Sequence, residues 1–354
     1  MQKASMKILI VSEAWNPQIN GVVRTLKMTS RELGKLGHTV ELLTPQGFHS
    51  VPCPTYPDIR LSITTPNEVA RRIDAFGPNC LHIATEGPLG WMARAVALRR
   101  KWPFTTAYHS RFPEYIHARI RFPLTWSYAA LRAFHNAGRG TLVPTPAIVA
   151  DLRQRGFAQA KLWSRGVDLS AFAPEGERLP RGEGPVFLYV GRLAIEKNIE
   201  AFLSLDLPGE KWVAGEGPAE ARLKARFPDA RWLGVLDGPS LATLYRSADV
   251  MVFPSRTDTF GLVILESLAC GTPVAAYPVA GPIDVIGNSA AGVMHEDLRV
   301  ACMEALKISR TAARAHAETF SWTDASLQFL SALQQINPQA AGEGSPVQAL
   351  TVGK

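Results

Sequence analysis

Cysteine is scarce in this sequence, and several familiar catalytic motifs are missing from it. The four cysteines, Cys53, Cys80, Cys270 and Cys302, show no paired spacing, which argues against a metal site or a redox couple. No His-Glu-x-x-His, Gly-x-Ser-x-Gly or Walker A pattern occurs, and no Gly-x-Gly-x-x-Gly follows the first apolar run. The metalloprotease, α/β-hydrolase, P-loop NTPase and simple dehydrogenase classes therefore lose support. Neither a metal site nor a cofactor is expected.

Long apolar runs are also missing. No run approaches the roughly 20 residues of a membrane-spanning helix. The first run, residues 8–11, is short and indicates a strand, and the residues before it lack the charged and apolar regions of a signal peptide. We therefore expect a cytoplasmic protein.

Acidic residues are depleted in the first half of the chain. Residues 1–180 carry 23 basic and 12 acidic side chains, whereas the remaining residues carry 15 and 19, so the net charge of +7 hides a strong asymmetry. Between Gly87 and Arg139 nine basic residues and several aromatic residues accompany a single acid, Glu114. Since a small anion needs only a couple of basic contacts, this surplus predicts an anionic surface as a partner.

Short apolar strands alternate with helical patterns along the chain. In the first half, strands are predicted over 7–12, 38–44, 80–84, 104–108 and 140–144, with helices over 22–36, 90–101 and 147–155. Residues 173–185 have the composition of a linker, and the pattern restarts with strands over 186–190, 211–215, 231–234 and 250–253. Two doubly wound α/β domains with a cleft between them are therefore predicted.

The predicted domain boundaries follow from this rhythm. The first domain covers residues 1–172 and the second covers residues 186–320. A helix over 321–336 is expected to cross back to the first domain, and residues 337–354 are expected to be disordered.

The segment 258–266, Asp-Thr-Phe-Gly-Leu-Val-Ile-Leu-Glu, places two carboxylates on either side of the start of an apolar helix. Its turn leaves backbone N–H groups around Phe260, Gly261 and Leu262 unpaired at the positive end of the helix, which favours a phosphate. Glu266 lies in an aliphatic run, so its carboxylate needs a polar partner, and the hydroxyls of a ribose would suit it. The alternative is a buried helix with one capping aspartate and one hydrogen-bonded glutamate.

Two cations follow the first strand of the second domain. Gly191 is followed by Arg192 and Lys197, spaced so that both can address one anion, and a diphosphate fits them. The alternative is a pair of solvated surface cations. Backbone around Val235, after a later strand of the same domain, is a candidate contact for the nucleotide base, with an ordinary turn as the alternative.

Two positions in the first domain are also candidates. Gly21, in the loop after the first strand, permits close approach of the backbone to a donor or acceptor, although the Asn-Gly pair by itself also suits an ordinary turn. His109 directly follows the strand 104–108, where parallel sheets present site residues, although a lone histidine is more often structural.

Asp258 and Glu266, with seven residues between them and a small-residue run ending in Gly-Thr-Pro, resemble the signature of the retaining GT-B glycosyltransferases of family 4. The resemblance spans about residues 6–336. It implies two Rossmann-like domains facing across a cleft, with the first acid near the donor sugar and the second on the nucleotide ribose. Asp258 stands where the family usually has Glu, so its reach is one methylene shorter.

The same resemblance gives roles to the other candidates. It implies that Arg192 and Lys197 bind the leaving diphosphate, that the loop of Gly21 faces the donor, and that His109 contacts the donor sugar without acting as the base. It also implies a front-face reaction, in which a leaving-group oxygen takes the acceptor's proton. The two cations and the helix start then do what a metal does in other glycosyltransferases, so activity in EDTA is expected.

The basic aromatic stretch points to the acceptor. Within residues 116–131, Arg119, Arg121 and Trp126 are predicted to meet an anionic membrane surface, with a core-packed helix pair as the alternative. Arg111 is a candidate partner for a uronate sugar. We expect a peripheral enzyme on the inner face of the cytoplasmic membrane.

The expected reaction moves a hexose or hexuronate from a nucleotide sugar, UDP-sugar being favoured, to a lipid. Diacylglycerol is the first acceptor candidate, followed by phosphatidylinositol and polyprenyl carriers. A GDP-mannose- or UDP-glucose-dependent transferase with a soluble acceptor is an alternative. A nucleic-acid-binding protein would explain the basic half but not Asp258, Glu266 and the diphosphate cations, so no nucleic-acid partner is expected.

Overall fold

The computed structural model of the protein describes residues 5–18, 20–53 and 56–337. Two parallel six-stranded sheets organise this part of the chain, which confirms the predicted α/β class. The predicted disordered tail, residues 337–354, lies outside the described residues except for Asn337.

The strands before the linker form one large sheet and one hairpin. They are β1 (Lys7–Val11), β2 (Thr39–Leu43), β3 (His49–Cys53), β4 (Tyr56–Ile63), β5 (Cys80–Ile83), β6 (Phe104–Ala107), β7 (Gly140–Val143) and β8 (Ala160–Leu162). The large sheet is parallel, in the order β2-β1-β5-β6-β7-β8. Strands β3 and β4 pair antiparallel outside it, and this hairpin was not predicted.

Helices connect these strands. They are α1 (Gly21–Lys35), α2 (Pro66–Phe76), α3 (Pro88–Arg99), α4 (Phe112–Ile120), α5 (Leu124–His135) and α6 (Pro146–Gln154). Asn20 caps α1, because its side-chain oxygen accepts from the N–H groups of Val22 and Val23. The three predicted helices correspond to α1, α3 and α6. Between β6 and β7 lies a helix pair, α4 and α5, which the sequence offered only as an alternative.

The second sheet repeats the arrangement. Its strands are β9 (Val186–Val190), β10 (Glu210–Ala214), β11 (Arg231–Trp232), β12 (Val250–Phe253), β13 (Val274–Ala276) and β14 (Gly292–Met294), in the parallel order β11-β10-β9-β12-β13-β14. Its helices are α7 (Ile199–Leu203), α8 (Glu220–Arg226), α9 (Gly238–Ser247), α10 (Leu262–Ala269), α11 (Ala280–Val285), α12 (Leu298–Ala305) and α13 (Arg310–Ala317). Buried apolar clusters cover both faces of this sheet, as parallel strands require.

The last helix, α14 (Trp322–Ile336), belongs by its contacts to the first sheet. Phe329 and Leu333 lie in the same buried cluster as Ile8 and Ile10 of β1. The chain passes between the domains twice, and the two crossings touch at Gly166, where a Cβ would lie 2.2 Å from the backbone nitrogen of Trp322. A side chain at this glycine would force the crossings apart.

Candidate functional site

The carboxyl ends of β6 and β12 face each other across the cleft between the two sheets. His109 follows β6, and its carbonyl oxygen accepts a hydrogen bond of 2.6 Å from Thr259 Oγ1 in the loop after β12. Thr259 is the neighbour of Asp258. The structure therefore places the predicted histidine and the first predicted acid on opposite walls of one narrow site.

Lys197 and Asp258 form an ion pair in this site. Burial lowers the pKa of the lysine, but the charge and hydrogen bond of Asp258, together with Tyr189 and Glu196, outweigh it, so the pKa of Lys197 is raised. Lys197 is therefore a cation at neutral pH, and the other oxygen of Asp258 is buried without a hydrogen-bond partner among the described residues. Arg192 is half-buried in the turn after β9, and its carbonyl oxygen accepts from Tyr189 at 2.9 Å.

The start of α10 has the geometry that the sequence predicts for an anion site. Gly261 is its N-cap with a φ of 88°, a left-handed conformation that favours glycine, and no described side chain caps the helix. Phe260 is buried and Leu262 is half-buried. A Cβ on Gly21 would lie 3.6 Å from Leu262 Cδ1, so the first turn of α1 faces the first turn of α10 across the cleft.

Glu266, one turn further along α10, already has two protein partners. Its side chain is nearly inaccessible, Arg24 of α1 pairs with its Oε1, and the Tyr245 hydroxyl lies 3.2 Å from its Oε2. The sequence predicted the need for a polar partner but did not identify Arg24, which is 242 residues away along the chain. A carboxylate has about four acceptor positions, so these two partners leave part of its hydrogen-bonding capacity unused.

Arg165 is a second residue that the sequence did not single out as functional. Its guanidinium is buried, lies 4.2 Å from the centre of the Trp163 ring, and donates to His109 Nδ1 at 3.3 Å. Burial lowers the pKa of Arg165 to about 9, so the group remains charged at neutral pH. Burial first, and then the charge of Arg165, hold the pKa of His109 well below its usual value.

Helix α4 reaches the site from the first domain. Tyr115 hydrogen-bonds with Thr257, and burial together with the charges of Asp258 and Glu196 raises the pKa of its hydroxyl well above the usual value. Tyr115 is therefore a protonated group beside the predicted donor-sugar acid. The sequence grouped it with interfacial aromatics and gave it no place in the cleft.

The predicted membrane-facing cations behave differently from one another. Arg119, one turn after Tyr115, lies 3.2 Å from Glu196 of the second domain and is mostly buried, so its side chain is directed toward the second domain and away from solvent. Arg111 lies 3.6 Å from Glu114 and 3.4 Å from Asp151. These two carboxylates compensate its positive charge, which disfavours it as a partner for a uronate. Arg121 is exposed, as is Trp126, whose relative exposure is 70%.

The remaining predicted positions add little charge to the site. Val235 is exposed in the segment after β11, where its backbone can be reached from solvent.

Among the described residues, no three His, Cys, Asp or Glu side chains cluster as metal ligands would. No helix in the same part of the chain combines the length and apolarity needed to cross a bilayer.

Known proteins share both halves of this arrangement. The family model described as Glycosyltransferase Family 4 matches residues 19–171, and the one described as Glycosyl transferases group 1 matches residues 184–308. Among solved structures, sucrose-phosphate synthase of Thermosynechococcus elongatus superposes with a TM-score of 0.78 at 20% identity, covering 94% of this chain and all of that one. At this identity the likeness shows the fold, which is GT-B.

Three curated relatives are informative. The chain is 34% identical to sulfoquinovosyl transferase SQD2 of Arabidopsis thaliana over 70% of its length, but it spans only 52% of that protein. It is 30% identical to a GDP-mannose-dependent alpha-mannosyltransferase of Mycobacterium tuberculosis, with 82% of this chain and 83% of that protein covered. Alpha-monoglucosyldiacylglycerol synthase of Streptococcus pneumoniae is 26% identical, with 85% and 78% covered. The family models match both domains, and the mannosyltransferase of Mycobacterium tuberculosis is 30% identical over most of both chains. These matches show that the chain belongs to glycosyltransferase family 4 and is a GT-B glycosyltransferase.

Proposed function

We propose that this enzyme transfers a hexose or hexuronate, with retention, from a UDP-sugar to diacylglycerol at a membrane surface. The observation that carries this proposal is the placement of α4. One face of the helix puts Tyr115 beside Asp258 in the cleft, while the next face leaves Ile116 and Ile120 exposed. The helix thus joins the donor-sugar site to an apolar surface.

The donor half of the proposal rests on the groups around the cleft. Lys197 is held as a cation, Arg192 lies in the turn before it, and no side chain of the described residues caps the start of α10. Together they form a positively charged binding site for the diphosphate, whose negative charge grows as its bond to the sugar breaks. Glu266 accepts from the ribose, Asp258 and His109 contact the sugar, and backbone at Val235 borders the base.

The reaction follows a front-face course in this proposal. The acceptor hydroxyl attacks the anomeric carbon on the side from which the diphosphate departs, and a diphosphate oxygen takes the hydroxyl proton. The sugar–oxygen bond to the acceptor forms as the bond to the diphosphate breaks. Arg192, Lys197 and the backbone N–H groups at Gly261 and Leu262 stabilise the released diphosphate, so the reaction needs no metal.

The lipid half rests on exposed apolar side chains around the loop between α4 and α5. Ile120 is 62% exposed, Phe122 and Trp126 are also exposed, and Arg121 stands among them. Isoleucine and tryptophan can enter the headgroup region while arginine meets lipid phosphate. The excess of basic residues in the first half of the chain adds attraction to an anionic leaflet. The name of one relative, alpha-monoglucosyldiacylglycerol synthase, supports diacylglycerol as the acceptor.

A product assay tests the function. Purified protein is incubated with diacylglycerol in anionic vesicles and with UDP-glucose, UDP-galactose, UDP-glucuronate, UDP-sulfoquinovose or GDP-mannose, and the lipids are separated by mass. We expect a monoglycosyl diacylglycerol from one UDP-sugar, with the α-anomer shown by NMR. Nucleotide release without any lipid product, or a β-anomer, would contradict the proposal.

A second candidate is a GDP-mannose-dependent transferase. It is favoured by the mannosyltransferase of Mycobacterium tuberculosis, which matches over most of both chains. Phosphatidylinositol, a polyprenyl phosphate and soluble mannosides are then the acceptors to compare. Mannose transfer from GDP-mannose, with no product from the UDP-sugars, would select this candidate.

A further inference from the structure

A buried cation contacts the histidine at the centre of the site. Arg165 has 4% relative exposure, and within the described residues no carboxylate forms an ion pair with it. Its Nη1 donates to the carbonyl oxygens of Trp163 at 2.5 Å and Ser164 at 2.9 Å, and its Nη2 lies 3.3 Å from His109 Nδ1. Burying a guanidinium without a carboxylate partner is energetically unfavourable, which indicates that Arg165 has a functional role at this position.

The direction of the Arg165–His109 hydrogen bond follows from chemistry. A guanidinium has only donors, so Nδ1 of the histidine must be the acceptor and carries no proton. A neutral imidazole then has its proton on Nε2. His109 Nε2 is buried, and no group among the described residues accepts from it. A buried N–H without an acceptor is unfavourable, and an oxygen of a bound substrate would satisfy it.

We propose that Arg165 is a positioning residue, which holds His109 neutral with its proton on Nε2 so that the ring donates a hydrogen bond to an oxygen of the donor sugar. Since this role presupposes the sugar contact of the proposed function, the two need separate readouts. The same hydrogen bond prevents His109 from acting as a base, because Nε2 is already protonated and Nδ1 is occupied.

The charged and titratable groups around the ring agree with a neutral His109. Besides Arg165, these are His82 of β5 and His135 of α5, while Thr259 binds the main chain of His109 from the second domain. His82 donates to or accepts from Thr105 at 2.7 Å, and burial lowers its pKa to about 3. His135 lies 3.1 Å from Glu86. Of these groups, Arg165 alone is both charged at neutral pH and hydrogen-bonded to the ring.

Nitrogen-15 NMR of ring-labelled histidine tests the inference, with His109→Gln used to assign the signal. In the unaltered protein we expect an unprotonated Nδ1 and a protonated Nε2 that do not change between about pH 5.5 and 8. In Arg165→Met we expect a mixture of tautomers and a higher pKa for His109, because a neighbouring positive charge has been removed. Arg165→Lys keeps the charge and should show an intermediate result.

Two outcomes would overturn the role of Arg165. One is a proton on Nδ1 of His109 in the unaltered protein, which needs no variant to detect. The other is an unchanged tautomer and pKa in a folded Arg165→Met protein, with folding checked by thermal unfolding. If Arg165→Met does not fold, the unaltered protein and Arg165→Lys still decide.

Ligand titration separates this role from the proposed function. UDP-glucose and GDP-mannose are each compared with the bare nucleotide, and the Nε2–H signal should move only with a nucleotide sugar. In Arg165→Met the KM for the sugar nucleotide should rise about tenfold or more while the Kd of the bare nucleotide is unchanged. The expected tautomer without any response to the sugar would contradict the sugar contact and leave the Arg165–His109 bond standing.

Discussion

Lys197 is a lysine of the cleft that stays positively charged although it is buried. Its ammonium is buried, which opposes ionisation, yet the pairing with Asp258 raises its pKa. A lysine held in this way is a fixed positive charge in a poorly hydrated site, where electrostatic interactions are stronger than in water. A group of this kind stabilises a leaving diphosphate without having to reorganise during the reaction.

The cations of the site should therefore act on turnover. We expect Arg192→Ala and Lys197→Ala each to lower kcat by about 100- to 1,000-fold, since each would remove one group that meets developing charge. Lys224→Ala is a matched control, because Lys224 also pairs with a carboxylate, Glu220, but on an exposed helix surface. Steady-state kinetics measure the effect, and unchanged kcat in both cleft variants would refute the diphosphate site.

Glu266 should act on nucleotide binding. Loss of its hydrogen bonds to ribose in Glu266→Ala should weaken the binding of UDP or GDP by about 10- to 100-fold in calorimetry. The change also leaves Arg24, whose side chain is 38% exposed, without its partner across the cleft, which lowers stability modestly. The double variant Glu266→Ala/Arg24→Met removes that unpaired cation. It should regain thermal stability but not affinity, and recovered affinity would mean that Glu266 only joins the domains.

In the proposed mechanism, the start of α10 is the element that takes the place of a metal. Its N–H groups follow a left-handed glycine and have no side-chain cap among the described residues, so they can bind phosphate oxygens. We expect full activity after dialysis against EDTA. Activity that disappears and returns with Mg²⁺ or Mn²⁺, but not with the buffer alone, would show that this helix start and the two cations are insufficient.

The elements that the sequence predicted are those with a strong local signal. β9 and β12 are short, fully apolar runs, β1 is apolar after Lys7, and the start of α10 follows from its Thr-Phe-Gly turn. The β3–β4 hairpin gave no such signal, because its first strand, His49–Cys53, contains a proline and no alternating apolar pattern. Local pattern is therefore enough for the fold class but not for every element.

Contacts between the domains are what the sequence could not supply. Arg24 and Glu266, or Arg119 and Glu196, are ordinary charged residues in their own segments, and only the fold brings them together. Arg119 shows the consequence, since a basic aromatic stretch predicted a membrane contact for a side chain that turns inward. The same stretch does leave Trp126 exposed. Composition therefore predicted the chemical character of this surface but not which residues lie on it.

At the scale of the whole molecule, the two domains differ in charge and in task. The first half carries the basic excess and the exposed apolar loop between α4 and α5, and the second half carries most of the groups that we propose to bind the nucleotide. Helix α4 touches both, since Tyr115 and Arg119 reach Thr257 and Glu196 of the second domain. We therefore expect membrane docking and donor-site chemistry to depend on the same helix.

One comparison of rates tests this dependence. Ile120→Ser and Trp126→Ser are assayed with diacylglycerol in anionic vesicles and with a short-chain diacylglycerol dissolved in buffer. Val300→Ser, an exposed apolar residue of the second domain, is the control. We predict that each α4–α5 variant loses about tenfold or more of its activity on vesicles and keeps its activity on the dissolved acceptor, because only insertion into the bilayer is weakened. Undiminished activity on vesicles, or an equal loss on both acceptors, would contradict membrane docking through this surface.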